Sequence, residues 1–147
     1  MSDPRRPLEL LRKAFNRHDL DGLADAFGHG AVLVAPDGVG QGREEIASYY
    51  GAFIEAFPDS KCTPWALTIS GDTLVAEYTL SGTHKGAYLM PGGGAAEATG
   101  RPILVRACSV SVVEDDLIVS HRIYYDQLEV GAQLGGALSF EEHERLS

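Results

Sequence analysis

The sequence predicts an α+β fold in which a curved, mostly antiparallel sheet wraps around N-terminal helices. Helical periodicity fills most of the chain as far as residue 57, and four long strand-like runs follow it. These runs are joined by short turns and by one glycine-rich loop. Because such a sheet must curl to cover the apolar faces of the helices, we expect a cone with an open mouth and an internal pocket.

Length and charge narrow the range of functions. The chain of 147 residues is about the size of one domain, which we expect to span residues 1–147. It carries 12 Lys and Arg against 21 Asp and Glu, a net charge of -9, and no basic cluster larger than a pair. Since this surface repels phosphate groups, we expect neither nucleic acid nor a membrane as a partner.

The cysteines and the N-terminus indicate a cytoplasmic protein. Cys62 and Cys108 lie in unrelated predicted strands without CxxC spacing, so we expect reduced, buried thiols. Residues 1–15 have no continuous apolar run typical of a signal peptide, and no later segment is apolar enough to span a membrane.

Two short helices are predicted first. Pro7 suits the first turn of a helix whose apolar residues recur at helical spacing as far as about Arg17. Asp19 can cap a second helix, which carries apolar residues up to Phe27 and is stopped by 28–30, a segment with two glycines. The two helices should form a hairpin.

A short strand and the longest helix come next. Residues 31–35 form an apolar run that ends at Pro36 and the Asp37-Gly38 turn. From Arg43 to Phe57 apolar residues recur every three or four positions, which predicts a third helix ended by Pro58.

The four strand-like runs have β-branched and aromatic residues at high density. They are Trp65 to Ser70, Thr73 to His84, Ile103 to Val113 and Leu117 to Tyr125. The loop from Tyr88 to Gly100 contains Gly92-Gly93-Gly94, which lacks the lysine of a phosphate-binding loop. We therefore expect it to be a mobile cover or hairpin tip over the mouth.

The segment from Ile118 to Gly135 contains the leading catalytic candidate. Asp126 directly follows the last strand and precedes an amphipathic segment, residues 127–134. A carboxylate at such a strand end can open into the cavity and act as a general base. It can equally cap the C-terminal helix, and both roles are compatible.

Several short motifs occur in the order found in a known family. The chain has Gly82-Thr83-His84-Lys85-Gly86, Met90-Pro91, Gly100-Arg101-Pro102, Tyr125-Asp126 and Gln133-Leu134-Gly135. With the order of elements, this resembles the SnoaL-like polyketide cyclases of the nuclear transport factor two-like superfamily. The resemblance extends over nearly the whole chain.

The resemblance implies a cofactor-free enzyme that binds a flat polycyclic or polyketide-derived ligand. The family's aspartate matches Asp126, which would remove a proton next to a carbonyl so that the enolate closes a ring by aldol addition. An apolar cavity would raise the pKa of such a base, and a nearby donor would stabilise the enolate oxygen.

Two other activities of this superfamily fit less well. The ketosteroid isomerase base would match Ala35-Pro36, with Asp37 one position late, and its other two groups would match Leu11 and Ser109, so all three are missing. The limonene-epoxide hydrolase pair would match Arg106 and Cys108, so its triad lacks a carboxylate. An isomerase-like or hydrolase-like enzyme remains an alternative.

Three further polar candidates accompany Asp126. His121 shares a predicted strand face with Ile123 and Tyr125, and it is either a cavity proton shuttle or carbonyl donor, or a core histidine. Arg106 shares a face with Leu104, Cys108, Val110 and Val112, where it would hold a substrate oxygen or pair with an acid such as Asp126. His84 is either a ligand contact near the mouth or a surface residue.

Aromatic residues provide the candidate binding surface. Helical spacing predicts that most aromatics of the third helix are core residues, so we expect Trp65 and one tyrosine of that helix, Tyr49, to reach the cavity. Tyr125 is a further candidate for ligand contact. The histidines lack the spacing of a metal site, so no metal is expected.

Three hypotheses therefore stand: a cyclase or isomerase acting on a carbon acid, a non-catalytic carrier of a small hydrophobic molecule, and a protein-binding module. Under each, an exposed sheet face would pair with its twin, so we expect a homodimer.

Overall fold

The computed structural model describes residues 3–90 and 94–137. Four helices and eight strands are found in these residues. They are α1 (Arg5–Asn16), α2 (Leu20–Ala24), β1 (Phe27–Ala35), β2 (Gly38–Gln41), α3 (Gly42–Ala56), β3 (Lys61–Ser70), β4 (Thr73–Thr83), β5 (Tyr88–Leu89), β6 (Ala95–Ala96), β7 (Pro102–Glu114), β8 (Leu117–Tyr125) and α4 (Gln127–Gln133).

Six strands form one curved sheet in the order β2-β1-β8-β7-β4-β3. All neighbouring pairs are antiparallel except β1 and β8, which run parallel. The last long strand therefore lies between the first strand and the meander of β3, β4 and β7. The predicted α+β class, with a mostly antiparallel sheet and an unclosed, curved form, is confirmed.

The helical hairpin forms as the sequence predicts, with one change. Asp19 caps α2, and its carboxylate accepts a hydrogen bond of 3.0 Å from the Gly22 amide. Phe27 does not continue the helix but begins β1, where it pairs with Ile118 and is fully buried. In the sheet this large side chain is completely buried, and the free energy gained by that burial exceeds what Phe27 would gain by continuing the helix.

Three short strands were not predicted. β2 pairs with β1 across the turn that contains Asp37, and β5 pairs with β6 within the glycine-rich loop. Each is four residues or shorter, too short to show a period. Gly92 and Gly93, which the expected cover includes, lie outside the described residues.

The inner face of β7 differs from the predicted one. Its buried residues are Ile103, Val105, Ala107, Ser109, Ser111 and Val113. Leu104 is 64% exposed, so the face that carries Leu104, Arg106 and Cys108 is the outer one. Both faces contain apolar residues, and a shift of one residue exchanges them.

In β8 a bulge changes which residues face inwards. The register with β7 shifts between the Val113–Ile118 and Val112–Ser120 pairs, so Ile118 and His121 are both buried although they are three residues apart. After the bulge the inner face continues through Ile123 and Tyr125.

The core consists of two clusters. The larger one packs α1, α2 and α3 on β1 and β8, with Phe15, Phe27, Leu33 and Ile46 buried in it. The smaller one surrounds Phe57 and includes Val105 and Val130. Members of both clusters line one cavity, which therefore lies between them.

No helix of the described segments is long and apolar enough to cross a membrane.

Candidate functional site

A cavity of about 430 Å³ lies between the helices and the inner face of the sheet. Most of its wall is apolar or aromatic. Its residues come from α1, α3, β3, β4, β7, β8 and α4: Arg5, Leu8, Glu9, Leu11, Arg12, Phe15, Tyr49, Tyr50, Phe53, Cys62, Pro64, Trp65, Ala66, Leu67, Ala76, Tyr78, Leu80, Val105, Ser109, His121, Ile123, Tyr125 and Val130. A cavity of this volume and composition is typical of a site for a small organic molecule.

The cavity opens to solvent between α1 and β3. The lining residues that are exposed define this mouth, and they are Arg5, Glu9, Pro64, Trp65 and Leu67. Arg5 forms an ion pair of 2.9 Å with Asp3. Trp65 is 57% exposed, so its indole lies where a ligand would enter.

His121 is the most deeply buried ionisable group of the cavity wall. It lies on β8 opposite Ser111 of β7, is only 3% exposed, and packs edge-on against Phe27. Its Nδ1 lies 2.7 Å from the Ser111 hydroxyl. This bond fixes the orientation of the ring.

The proton on the His121 ring can be assigned from this contact. Burial lowers the pKa of His121 from 6.5 to about 4, so the imidazole is neutral at pH 7. Within the described residues, the Ser111 hydroxyl has no hydrogen-bond partner except His121. The Ser111 hydroxyl proton has an acceptor only if it is donated to Nδ1, so we assign the ring proton to Nε2, for which the described residues supply no partner. The remaining nitrogen of this cavity-lining ring is then a donor.

A second polar contact lies on α3. The Tyr49 hydroxyl donates a 2.8 Å hydrogen bond to Oδ1 of Asp37, which is in the turn between β1 and β2. Burial and the nearby Asp37 carboxylate raise the pKa of Tyr49, and burial and Tyr49 raise the pKa of Tyr125. Both phenols therefore stay protonated.

Other polar groups of the wall are also kept neutral. Burial raises the pKa of Tyr50 and of Tyr78, and burial raises the pKa of the Cys62 thiol to about 11 against the opposing effect of Arg12. Cys62 and Cys108 are free thiols, but both are half-buried and not fully buried as expected. Apart from the half-buried Arg12, the interior side chains of the wall are uncharged, which favours a largely uncharged ligand.

Asp126 does not lie in the cavity. Its side chain is exposed, and Oδ1 accepts hydrogen bonds from the amides of Leu128 at 2.9 Å and Glu129 at 3.3 Å. The prediction that it caps the C-terminal helix is confirmed. The prediction that it projects into the cavity is wrong, because capping directs the carboxylate along α4.

Arg106 is also placed differently from the expectation. It is exposed on the outer face of β7, does not line the cavity, and forms no ion pair with any residue in 3–90 or 94–137. The reason is the inverted face of β7, on which Val105 and Ala107 point inwards.

His84 is fully buried and does not line the cavity, so both of its expected positions are wrong. Its Nδ1 accepts a hydrogen bond of 3.1 Å from the Thr99 amide and lies 2.9 Å from the Thr99 hydroxyl. Its ring packs against Phe57 and Tyr88. It therefore fastens the loop after β6 to the smaller core cluster.

The aromatic candidates do reach the cavity. Trp65, Tyr49 and Tyr125 line it, and so do Tyr50, Phe53 and Tyr78. The wall thus contains more aromatic residues than Trp65 and the one tyrosine of α3 that we expected. Trp65 is at the mouth, whereas the others are within.

Sequence reasoning missed the two residues that fix the polar groups. Ser111 became significant only through its register opposite His121, although two serines alternating with apolar residues on β7 would have indicated it once the inner face was known. The sequence places Asp37 in a turn and one position after the isomerase base, but nothing in it connects Asp37 with Tyr49. Among the described residues, no group of three His, Cys, Asp or Glu side chains is placed to hold a metal ion.

Comparison with known proteins agrees with this architecture. The sequence profile of the SnoaL-like polyketide cyclase family matches residues 6–134. No curated protein sequence matches the chain.

Solved structures with this fold are numerous. IdmH from Streptomyces antibioticus, a proposed polyketide cyclase, has 27% identity and a TM-score of 0.75 over 91% of this chain and 99% of its own. TsrD from Streptomyces laurentii has 26% identity and a TM-score of 0.79 over 90% and 95%. A proposed polyketide cyclase from Xanthomonas campestris shares the fold at 20% identity and a TM-score of 0.78 over 89% and 96%. With a family match that includes both the helices and the sheet around the cavity, the chain belongs to the SnoaL-like polyketide cyclases.

Proposed function

We propose that this protein binds a flat, largely apolar ketone in the cavity and promotes enolate chemistry on it, as its family membership suggests. The observation that carries the proposal is His121, a neutral imidazole in an apolar wall with one nitrogen fixed by Ser111. Its Nε2 proton would be donated to the carbonyl oxygen of the ligand. No cofactor is part of the proposal.

A neutral histidine suits this role. As charge develops on the carbonyl oxygen during enolisation, a pre-oriented donor in a site that excludes water stabilises it more than water would. Ser111 keeps the donor nitrogen from rotating away. The substrate's aromatic or conjugated rings would lie against Tyr50, Phe53 and Tyr78.

The scarcity of carboxylates in the cavity wall favours a second candidate, a carrier that binds the same ligand without turnover. Of the described residues that line the cavity, Glu9 alone is a carboxylate, and it is exposed at the mouth. For a catalyst, Glu9 is the group available to receive the proton from carbon. For a carrier, its removal has no effect.

Hydrogen exchange at carbon separates the two candidates. With 2-tetralone in deuterated buffer, nuclear magnetic resonance measures how fast the protons next to the carbonyl are replaced. We expect the protein to accelerate this exchange, and His121→Leu to lower kcat about a hundredfold while changing KM little. His121→Gln, which keeps a side-chain N–H, should recover part of the rate.

Trp65 provides the binding measurement for the same variants, since it is the chain's single tryptophan. Quenching of its emission by 2-tetralone without any accelerated exchange would identify a carrier. Equal exchange rates for the unchanged protein and His121→Leu would contradict the role of His121.

We also propose a homodimer, formed through the outer face of the sheet. Leu104 on β7 is 64% exposed and Tyr124 on β8 is 54% exposed on that face. Apolar side chains of this size are rarely left in water as a group.

A further inference from the structure

We infer that Tyr49, oriented by Asp37, accepts a hydrogen bond from the ligand and thereby selects compounds that carry a hydroxyl group in addition to a carbonyl. This inference rests on the proposed function, because it describes the same ligand in the same cavity. It adds the chemical class: hydroxylated aromatic ketones, with the hydroxyl and carbonyl at opposite ends.

The first step is the direction of the contact between Tyr49 and Asp37. The Tyr49 hydroxyl donates its single proton to Oδ1 of Asp37, and the two oxygens are 2.8 Å apart. The phenol oxygen keeps its acceptor capacity. Tyr49 lines the cavity, and we infer that its oxygen, which can accept but has no proton left to give, is within reach of a ligand there.

The second step is the position of this acceptor relative to His121. Tyr49 lies near Tyr125, which is four residues beyond His121 on β8. Four residues of extended strand span about 13 Å. The acceptor therefore lies towards the Tyr125 end of the inner face and away from His121, so a ligand must carry its two polar groups at separate positions to meet both.

The third step is the polarity that results. At one end, Nε2 of His121 donates and suits a carbonyl oxygen. At the other, the Tyr49 oxygen accepts and suits a phenol or enol hydroxyl. If the ligand instead had an ether or carbonyl oxygen at this end, that oxygen would face the Tyr49 oxygen, and both are acceptors. Both would remain unpaired in an apolar site, which lowers the affinity about tenfold or more.

The test compares 2-hydroxyanthraquinone with 2-methoxyanthraquinone, whose methyl group removes the donor. Neither compound has a proton on carbon next to its carbonyls, so the measurement reports binding alone. Quenching of Trp65 gives both dissociation constants, at a pH low enough to keep the phenol neutral. We expect the unchanged protein to prefer the hydroxyl compound by about tenfold.

Three variants then locate the source of the preference. Tyr49→Phe should abolish it. Asp37→Ala frees the Tyr49 proton for donation, so the preference should shift towards the methoxy compound, an effect that loss of packing alone would not produce. Tyr124→Phe, which removes a phenol hydroxyl from the outer face, is the matched control and should leave the preference unchanged.

The outcomes distinguish the two proposals. If neither anthraquinone binds but the exchange of 2-tetralone protons is accelerated, only this inference fails; if 2-tetralone is neither bound nor exchanged, the proposed function fails and this inference fails with it. If both bind but Tyr49→Phe retains the preference, or the unchanged protein has none, only this inference is overturned. If Asp37→Ala leaves the preference as it was, Asp37 does not orient Tyr49 towards a ligand.

Discussion

At the scale of single residues, the environment of His121 keeps its imidazole neutral, and the contact with Ser111 determines which ring nitrogen can donate to a ligand. A buried imidazole surrounded by apolar groups is disfavoured as a cation, and a serine on one nitrogen leaves the other for a ligand. Two residues on adjacent strands thus define a donor that neither would supply alone.

The lowered pKa of His121 predicts how stability depends on pH. Between the unfolded value of 6.5 and the folded value of about 4, the unfolded chain binds the proton more readily. The contribution of His121 to the free energy of unfolding should therefore be complete above pH 6.5. It should be lost as the pH drops towards 4, and the loss should be at most about 3 kcal/mol.

Urea unfolding at several pH values measures this dependence. Carboxylates titrate in the same window, so His121→Gln, which cannot titrate, is the reference for their contribution. The slope between pH 4 and 6.5 should be smaller in His121→Gln than in the unchanged protein, and parallel curves would contradict the assignment.

At Asp126, a role in helix capping can be distinguished from a role in catalysis by replacing the carboxylate with an amide. Asn is as good a helix cap as Asp, so Asp126→Asn should retain stability, while Asp126→Ala should lower the free energy of unfolding by about 1 kcal/mol. Because Asp126 lies outside the cavity, Asp126→Asn should also leave the exchange of 2-tetralone protons unchanged. A rate loss of tenfold or more in a stable Asp126→Asn protein would restore the catalytic role.

At the scale of elements, close packing fastens the loop after β4 to α3. Backbone amides of Lys85 and Gly86 both donate to the carbonyl of Ala56, and a Cβ on Gly86 would overlap the Glu55 carbonyl. The overlap is with backbone, which cannot move aside as a flexible side chain can.

We therefore expect Gly86→Ala to lower the free energy of unfolding by about 1 to 3 kcal/mol. Gly30→Ala is the control, since a Cβ there meets no atom within 4 Å. Chemical denaturation of both should show a clear loss for Gly86→Ala and a change of roughly 0.5 kcal/mol or less for Gly30→Ala. Equal midpoints would show that the loop can shift.

The elements themselves could be predicted from the sequence to a large extent, whereas the inner faces could not. Helical and strand periods locate α1, α3 and the four long strands because each is amphipathic over many residues. The faces of β7 could not be told apart because Leu104, Val110 and Val112 are as apolar as Val105 and Val113. The bulge in β8 depends on its pairing with β7, which no local pattern encodes.

The uncertainty about which face points inwards also explains which site residues could be predicted. His121, Trp65, Tyr49 and Tyr125 reach the cavity as expected, because strand or helix position alone decided their direction. Asp126 and Arg106 did not, because their direction depends on a cap and on a strand register. The contact of Asp37 with Tyr49 joins a turn to a helix, and such a pair is visible only in three dimensions.

At the scale of the whole molecule, the outer face of the sheet provides a test of assembly. We expect the protein to sediment as a dimer and Leu104→Glu to sediment as a monomer, because a charge in the centre of a buried interface is strongly unfavourable. Val39→Glu, on the edge strand β2 where the side chain is 68% exposed, is the control and should remain dimeric. A monomeric unchanged protein would contradict the proposal.

The position of β8 in the sheet has a consequence for synthesis of the protein. Among the described strands, β8 alone pairs β1 and β2 with the other long strands, yet it is the last of them to leave the ribosome. Until about residue 125 is available, the nascent chain holds two incomplete pieces of sheet that have no strand in common. The sheet therefore cannot form completely until β8 has been synthesised, and a chain stalled before β8 would present open strand edges to chaperones.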